Sequence, residues 1–264
     1  MSYYHKSVLA KEAIDFLNVN KNQLYIDATA GGGGHTKEIV KRGGQVLALD
    51  RDPASIGYLK SLNLKNTILK EANFSHIYNI AHKFGFKKVS GIIFDLGLSS
   101  AQIEDTNRGF SFLLNSPLDM RMDPNISLSA FEIINHFEKR RLNEIFHKFG
   151  QEKFSWPIAD AICSARKIKP VRSTGELSKI VNEVYQKHKV RSKTNPATKV
   201  FQALRIVVNS ELLNLKEALP QTTELLEKNG RLVIISFHSL EDAIVKRFFK
   251  EQEKLLTLTK KPIG

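Results

Sequence analysis

The sequence predicts a parallel α/β domain interrupted by an all-helical insertion. Three observations carry this. Short apolar runs alternate with helical stretches over the first hundred residues, the alternation stops near residue 104, and it resumes at residue 196. The expected division is therefore a discontinuous α/β domain, 1–103 with 196–264, and a helical insertion, 104–195.

Leu24–Ala28 is the first strand, followed by a glycine run and a helical stretch His35–Arg42. Gln45–Asp50 is the second strand, and Pro53–Ser61 a helix with proline in its first turn, where the missing N–H costs nothing. Thr67–Glu71 and Val89–Leu96 are the third and fourth strands, with a helix over Ser75–Phe84 between them. The continuous apolar character of Val89–Leu96 marks a strand buried on both faces. The insertion carries helical stretches at Ser129–Phe137, Lys139–Phe149, Lys153–Lys167 and Thr174–His188. A helix then starts at Pro196, and another runs from Pro220 to Lys228, closed by Asn229-Gly230. Arg231–Phe237 is the fifth strand, Ser239–Lys254 a helix capped by Ser239, and Leu255–Lys260 a candidate further strand.

The chain has a net charge of +13, and most of it is concentrated. Between Lys139 and Arg205 there are 16 Lys and Arg against 5 Asp and Glu. A basic region of this kind suits a polyanion, since each phosphate contact releases condensed counterions. It lacks the aromatic amphipathic anchor of a membrane-surface helix, and no apolar stretch reaches the ~20 residues needed to span a bilayer. The single cysteine, Cys163, has no partner for an internal disulfide and is expected as a small helix-packing residue, which fits a cytoplasmic location.

The chemistry starts at Asp27-Ala-Thr-Ala-Gly-Gly-Gly-Gly34-His35. A strand, a glycine turn and a helix N-terminus together accept a nucleotide-like ligand, because glycine allows close backbone approach and the first helical N–H groups lack internal partners. Asp50 ends the next strand, where a carboxylate can accept hydrogen bonds from two ribose hydroxyls. Both nicotinamide dinucleotides and S-adenosylmethionine bind to such an arrangement. The glycines depart from the G-x-G-x-x-G fingerprint, and Asp27 would repel a pyrophosphate while attracting the ammonium group of S-adenosylmethionine. Asp95, at the end of the fourth strand, is where methyltransferases of this fold place the group between donor and acceptor. The expected fold is thus Rossmann-like, of the class I S-adenosylmethionine-dependent methyltransferases, with an inserted helical domain. A nicotinamide oxidoreductase and a non-catalytic RNA-binding factor are the alternatives.

Longer strings sharpen this. Asp50-Arg-Asp-Pro53, Asp95-Leu-Gly-Leu-Ser-Ser100, Arg108-Gly-Phe-Ser-Phe112, Pro117-Leu-Asp-Met-Arg-Met-Asp123, Asn195-Pro-Ala-Thr198, Phe201-Gln-Ala-Leu-Arg205 and Ile235-Ser-Phe-His-Ser-Leu-Glu-Asp242 occur in one order, after His5-x-Ser-Val-Leu9. With them the chain resembles the bacterial small-subunit ribosomal RNA methyltransferase H family, whose members methylate N4 of a cytidine in the decoding centre of 16S rRNA.

The resemblance implies S-adenosyl-L-methionine as methyl donor, contacted by Gly33, Gly34, His35, Asp50, Phe74, Asp95 and Gln102. It implies 16S rRNA within the small ribosomal subunit as partner, with no membrane and no metal; a homodimer stays open. Phe74 would stack on the adenine, and His35 has a helix-capping role as its alternative. For catalysis, Asp95, Ser99 and His238 are the candidates, with Ser100 and Glu241 beside them. The Asp95-Leu-Gly-Leu segment lacks the prolines and aromatic residue with which many amino-methyltransferases stack the base. Phe110, Phe112 and Phe237 are the substitutes expected here. Arg108, Arg121, Arg172, Arg191, Lys193, Lys199 and Arg205 are candidate RNA contacts, and the string at 117–123 is expected to order the pocket wall. Family members continue into an Asn-Pro-Arg segment and a final antiparallel strand. This sequence stops at Lys261-Pro-Ile-Gly264, so an unpaired sheet edge is expected.

Overall fold

The computed structural model describes residues 8–190, 194–259 and 262–263. The chain forms two compact units, residues 1–99 with 212–264 and residues 100–211.

The first unit is built on five parallel strands in the order β3-β2-β1-β4-β5. In chain order they are β1 (Leu24–Asp27), β2 (Gln45–Asp50), β3 (Thr67–Glu71), β4 (Val89–Asp95) and β5 (Leu226–Ile235). The helices preceding or joining them are α1 (Ala10–Leu17), α2 (Gly34–Lys41), α3 (Pro53–Ser61) and α4 (Ile77–Lys83), the last entered through a 3-10 turn at Phe74–His76. Side chains alternate across the sheet with the period of two that a strand imposes. Ile26, Leu47, Leu49, Ile92 and Phe94 point to one face, packed with Ile77 of α4 and with Leu215, Leu219, Ile244 and Phe248 from later helices. Tyr25, Val46, Ala48 and Ile93 point to the other, against Ile14, Leu17, Ile39, Ile56 and Leu59 of α1 to α3. Helices on both faces explain why the strands read as unbroken apolar runs.

The second unit, the helical one, comprises α5 (Ser100–Glu104), α6 (Ala130–His136), α7 (Lys139–Gly150), α8 (Ser155–Ile168), α9 (Thr174–Lys187) and α10 (Ala197–Val208). Ser173 and Glu176 form a reciprocal capping box at the start of α9. Leu142, Ile145, Phe146, Ile158, Ile162, Leu177, Val181, Val200 and Leu204 are all buried, giving α7 to α10 one apolar stripe each. Cys163 is half-buried on α8.

Three boundaries differ from expectation. The helical unit runs from 100 to 211 instead of 104 to 195. The reason is α10, whose Val200, Phe201 and Leu204 are buried, and whose C-cap Asn209 is tied to the 117–123 segment. Next, α11 (Glu211–Leu225) starts well before Pro220, which lies inside it. Leu226 already pairs with Val89, so Asn229-Gly230 sits in a register shift of β5 and caps no helix. Finally, Leu255–Thr259 forms no strand, and Lys260 lies outside the described residues. β5 is therefore an outer strand of the sheet among the described residues. α12 (Ser239–Glu251) completes the first unit, and its cap is His238, one residue before the expected Ser239.

Candidate active site

The site forms where β1, β2 and β4 end side by side, because parallel strands deliver all their C-terminal residues to one edge. Asp27, Asp50 and Asp95 occupy those three ends. Between β1 and α2 the chain turns through Gly31 and Gly33, both with positive φ, at 48° and 78°. Gly33 caps α2 in the left-handed region that favours glycine, and a Cβ there would press on the end of the Leu59 side chain.

Each aspartate has a distinct task. Asp27 is 1% exposed, accepting from Thr36 Oγ1 at 2.6 Å and from the Thr29 N–H at 3.3 Å. Burial raises its pKa, and the charge of His35 and these hydrogen bonds offset part of the rise. Asp27 therefore clamps the loop onto α2, where sequence reasoning set it against a ligand ammonium. Asp50 accepts the Gly31 N–H at 2.7 Å and the Asp52 N–H at 2.8 Å, one on each oxygen. Burial pushes its carboxyl up to about 6 against these two bonds. A carboxylate has about four lone-pair sites, so two remain for outside donors.

The Asp95 N–H donates to Thr29 Oγ1 at 2.6 Å, fixing the end of β4 to the loop after β1. Its Oδ2 lies 3.2 Å from His35 Nε2. His35 is thus no cap. It is 3% exposed in the first turn of α2 and is held against Asp95. Burial by itself would lower the His35 pKa, but the bond to Asp95 and the charges of Asp27 and Asp95 outweigh it and the net shift is upward. His35 Nδ1 and Asp95 Oδ1 are buried with no partner among the described residues. Orphaned groups of this kind are costly unless a ligand completes them.

Phe74 follows β3 and packs edge-on to Phe94, with ring centres 5.5 Å apart. Gly34 opens α2, and Ser99 Cβ lies 3.8 Å from where a Gly31 Cβ would stand. Gln102 belongs to α5 of the helical unit, where it is buried. His238 caps α12, with Nδ1 accepting weakly from the Glu241 N–H at 3.4 Å and Nε2 3.3 Å from Glu241 Oε1. Both ring nitrogens thus face Glu241. Glu241, 2% exposed, also accepts the Phe237 N–H at 2.9 Å.

The chain matches the model of the MraW methylase family over residues 2–262. It belongs to that family. Curated relatives named ribosomal RNA small subunit methyltransferase H include one from Clostridium botulinum (strain Loch Maree / Type A3), 43% identical over 97% of this chain and 84% of its own length. Another, from Halothermothrix orenii, is 40% identical over 98% of this chain and 91% of its own. A third, from Thiobacillus denitrificans, is 42% identical over 94% and 80%.

In this methylase, several basic residues expected at the RNA serve the helical unit itself. Arg108 donates to the carbonyls of Arg121 and Met122, both at 2.9 Å. Arg121 grips Asp119 in a fork at 2.9 and 2.7 Å and donates to the carbonyls of Pro124 and Ile126. Arg205 pairs with Glu211 through two bonds of 2.8 Å. The 117–123 string is thus a hydrogen-bonded knot, its backbone at Met120 and Met122 held by Asn209. Lys199 donates to the Gln151 carbonyl at 3.2 Å and remains exposed. Arg191 and Lys193 lie outside the described residues. Arg172, Lys153, Lys167, Lys187 and Lys189 are exposed and in no ion pair among the described residues.

Sequence reasoning missed Thr29 and Thr36. Their only signal was a hydroxyl on each side of the glycine run, and their partners, Asp95 and Asp27, are fixed by tertiary structure.

Proposed function

We propose that this methylase transfers the methyl group of S-adenosylmethionine to N4 of a cytidine in the decoding centre of 16S ribosomal RNA, by direct in-line displacement. The observation that carries the reading is the Asp95–His35 pair, with one buried unpartnered polar atom on each side. It stands at the strand edge beside a glycine loop and Asp50, in a chain whose relatives are small-subunit ribosomal RNA methyltransferases.

The residues fit the donor. The two free lone-pair sites of Asp50 match a ribose diol, and Phe74 offers an aromatic surface to the adenine. The first-turn amides of α2 offer hydrogen-bond donors to S-adenosylmethionine, and Gly33 and Gly34 join this set on the family resemblance. His35 Nδ1 suits the amino-acid group of the donor, which carries both an acceptor and donors. Gln102 joins this set on the family resemblance. When bound, the sulfonium supplies an electrophilic methyl group.

The remaining difficulty lies in the acceptor, since the lone pair of a cytosine amine is delocalised into its ring. Asp95 answers it by accepting an amine N–H at Oδ1, which draws nitrogen electron density out of the ring and gives the departing proton a destination. His35 Nε2, 3.2 Å from Asp95 Oδ2, holds the carboxylate in place. Ser99, beside Gly31, is a second polar contact for the acceptor. His238, engaged with Glu241, shapes the entry to α12 and stays the candidate for later proton transfer. Alignment of the reacting atoms supplies the rest of the rate, and no metal is needed. The exposed cations of the helical unit hold flanking RNA, while extrusion of the target base costs a few kcal/mol.

The test is nucleoside mass spectrometry of small subunits incubated with the protein and S-adenosylmethionine. N4-methylcytidine at one position is expected. Methylation of another atom, or none from protein that binds the donor, overturns the proposal.

A further inference from the structure

A base that has left its stack needs an aromatic or apolar face to lie against, because stacking holds it once its neighbours are gone. The three candidate phenylalanines differ sharply in what they can offer. Phe110 is 8% exposed, with the Arg108 guanidinium 5.8 Å from its ring centre. Phe112 sets its ring edge-on to Phe201, 5.4 Å away. Phe237 alone of the three is widely open, at 51% exposure.

Phe237 is also the one at the strand edge that holds Asp95. It follows β5 by two residues, and in the β4–β5 ladder Asp95 pairs with Ile235, so the two chain segments leave the sheet together. Its ring lies over Gly97. A Cβ at Gly97 would stand 3.3 Å from Phe237 Cδ2, and Gly97 has a φ of 102°, so no side chain comes between ring and backbone. From the other side, the buried Glu241 carboxylate accepts the Phe237 N–H at 2.9 Å. The ring is thus anchored through its backbone and against Gly97, while much of its surface meets solvent. An exposed aromatic at the same strand edge as a buried unpartnered carboxylate oxygen is an incomplete arrangement that a planar ring carrying an amine completes.

We propose that Phe237 is the stacking residue for the acceptor base, seated on Gly97, with Asp95 receiving the base's exocyclic amine. This supplies the aromatic contact that the Asp95-Leu-Gly-Leu segment lacks. It rests on the base-amine methylation proposed above.

The experiment compares wild type with Phe237→Ala, Phe237→Leu and Phe237→Trp in methylation of small ribosomal subunits, with donor binding followed by calorimetry and folding by thermal melts. Base stacking predicts a fall of about ten- to a hundredfold in kcat/KM for Phe237→Ala, with the donor Kd within about twofold of wild type. Phe237→Trp is expected to stay within a few-fold of wild type, and Phe237→Leu to lose most of what alanine loses. Full activity in Phe237→Ala or Phe237→Leu overturns the inference, as does a loss of donor affinity parallel to the loss of turnover. Should the alanine protein unfold, leucine against tryptophan decides. If wild type modifies a base at another atom, the N4 reading falls and the same comparison still tests the platform. If wild type methylates no base at all, both fall.

Discussion

Asp50→Asn separates two consequences of placing one carboxylate at the end of β2. In the free protein burial pushes the Asp50 carboxyl from its ordinary 3.8 up to about 6. That rise corresponds to about 3 kcal/mol by which burial disfavours the ionised form at neutral pH, net of the bonds from Gly31 and Asp52. Because the folded pKa lies above the unfolded one, the folded state binds the proton more tightly. Stability from this group is therefore highest below pH 3.8 and falls as pH rises to about 6. Asparagine removes that fall, but its amide has one acceptor oxygen where the carboxylate uses two. One of the two backbone N–H groups then loses its partner, at a cost of about 1–3 kcal/mol. At pH 7 the two effects nearly cancel, so the melting temperature is expected to change little. Donor binding behaves differently. Ribose hydroxyls favour the ionised carboxylate, so in wild type the S-adenosylmethionine Kd tightens as pH rises from 5 to 7, with a bend near 6. In Asp50→Asn the bend vanishes and binding weakens by about tenfold or more, as expected when hydrogen bonds to a charged group are lost. Calorimetric titrations over that range, paired with thermal melts, read both quantities. A variant that retains wild-type affinity and the bend near 6 refutes the assignment of Asp50 to the ribose.

Gly33→Ala places a methyl group on Leu59 at a residue with φ of 78°, so a stability loss of about 1–3 kcal/mol and weaker donor binding are expected in melts and calorimetry. Arg121→Ala frees Asp119 and two carbonyls in the 117–123 knot, costing about 1–3 kcal/mol. Burial alone would raise the Asp119 pKa, but Arg121 outweighs it and holds the carboxyl low. This stabilisation is present above the usual 3.8 and is lost as pH falls through the depressed value. Melting difference between Arg121→Ala and wild type should accordingly shrink in acid, and a constant difference counts against the ion pair. Lys187→Ala with Lys189→Ala removes two exposed cations outside any ion pair among the described residues. If both meet phosphate, the log–log slope of RNA affinity against salt drops by about one per residue while donor Kd is unchanged. An unchanged slope excludes them from the RNA surface.

The local pattern of the chain marked most of the strands and helices, since periods of 2 and 3.6 are properties of consecutive residues. It placed Asp27, Asp50 and Asp95 at strand ends and a glycine turn after the first of them, and the parallel order then follows from the alternation. It also marked the basic concentration between Lys139 and Arg205. What it did not contain was the identity of partners distant in sequence. The pairing of His35 with Asp95 spans 60 residues, and Thr29 meets the end of β4 across 66. The same holds for Arg121 and Arg205, which read as free cations in the sequence and are spent on carboxylates and carbonyls in the fold. The boundary of the helical unit moved because α10 buries its apolar stripe there, a choice that helical periodicity leaves open. Phe110, Phe112 and Phe237 looked equivalent as residues, and only their burial distinguished them. Composition and spacing thus marked most of the elements and put the three aspartates at strand ends. The tertiary structure decided which charges neutralise one another and which polar atoms remain for a ligand, because those depend on distances between segments that the chain brings together only on folding.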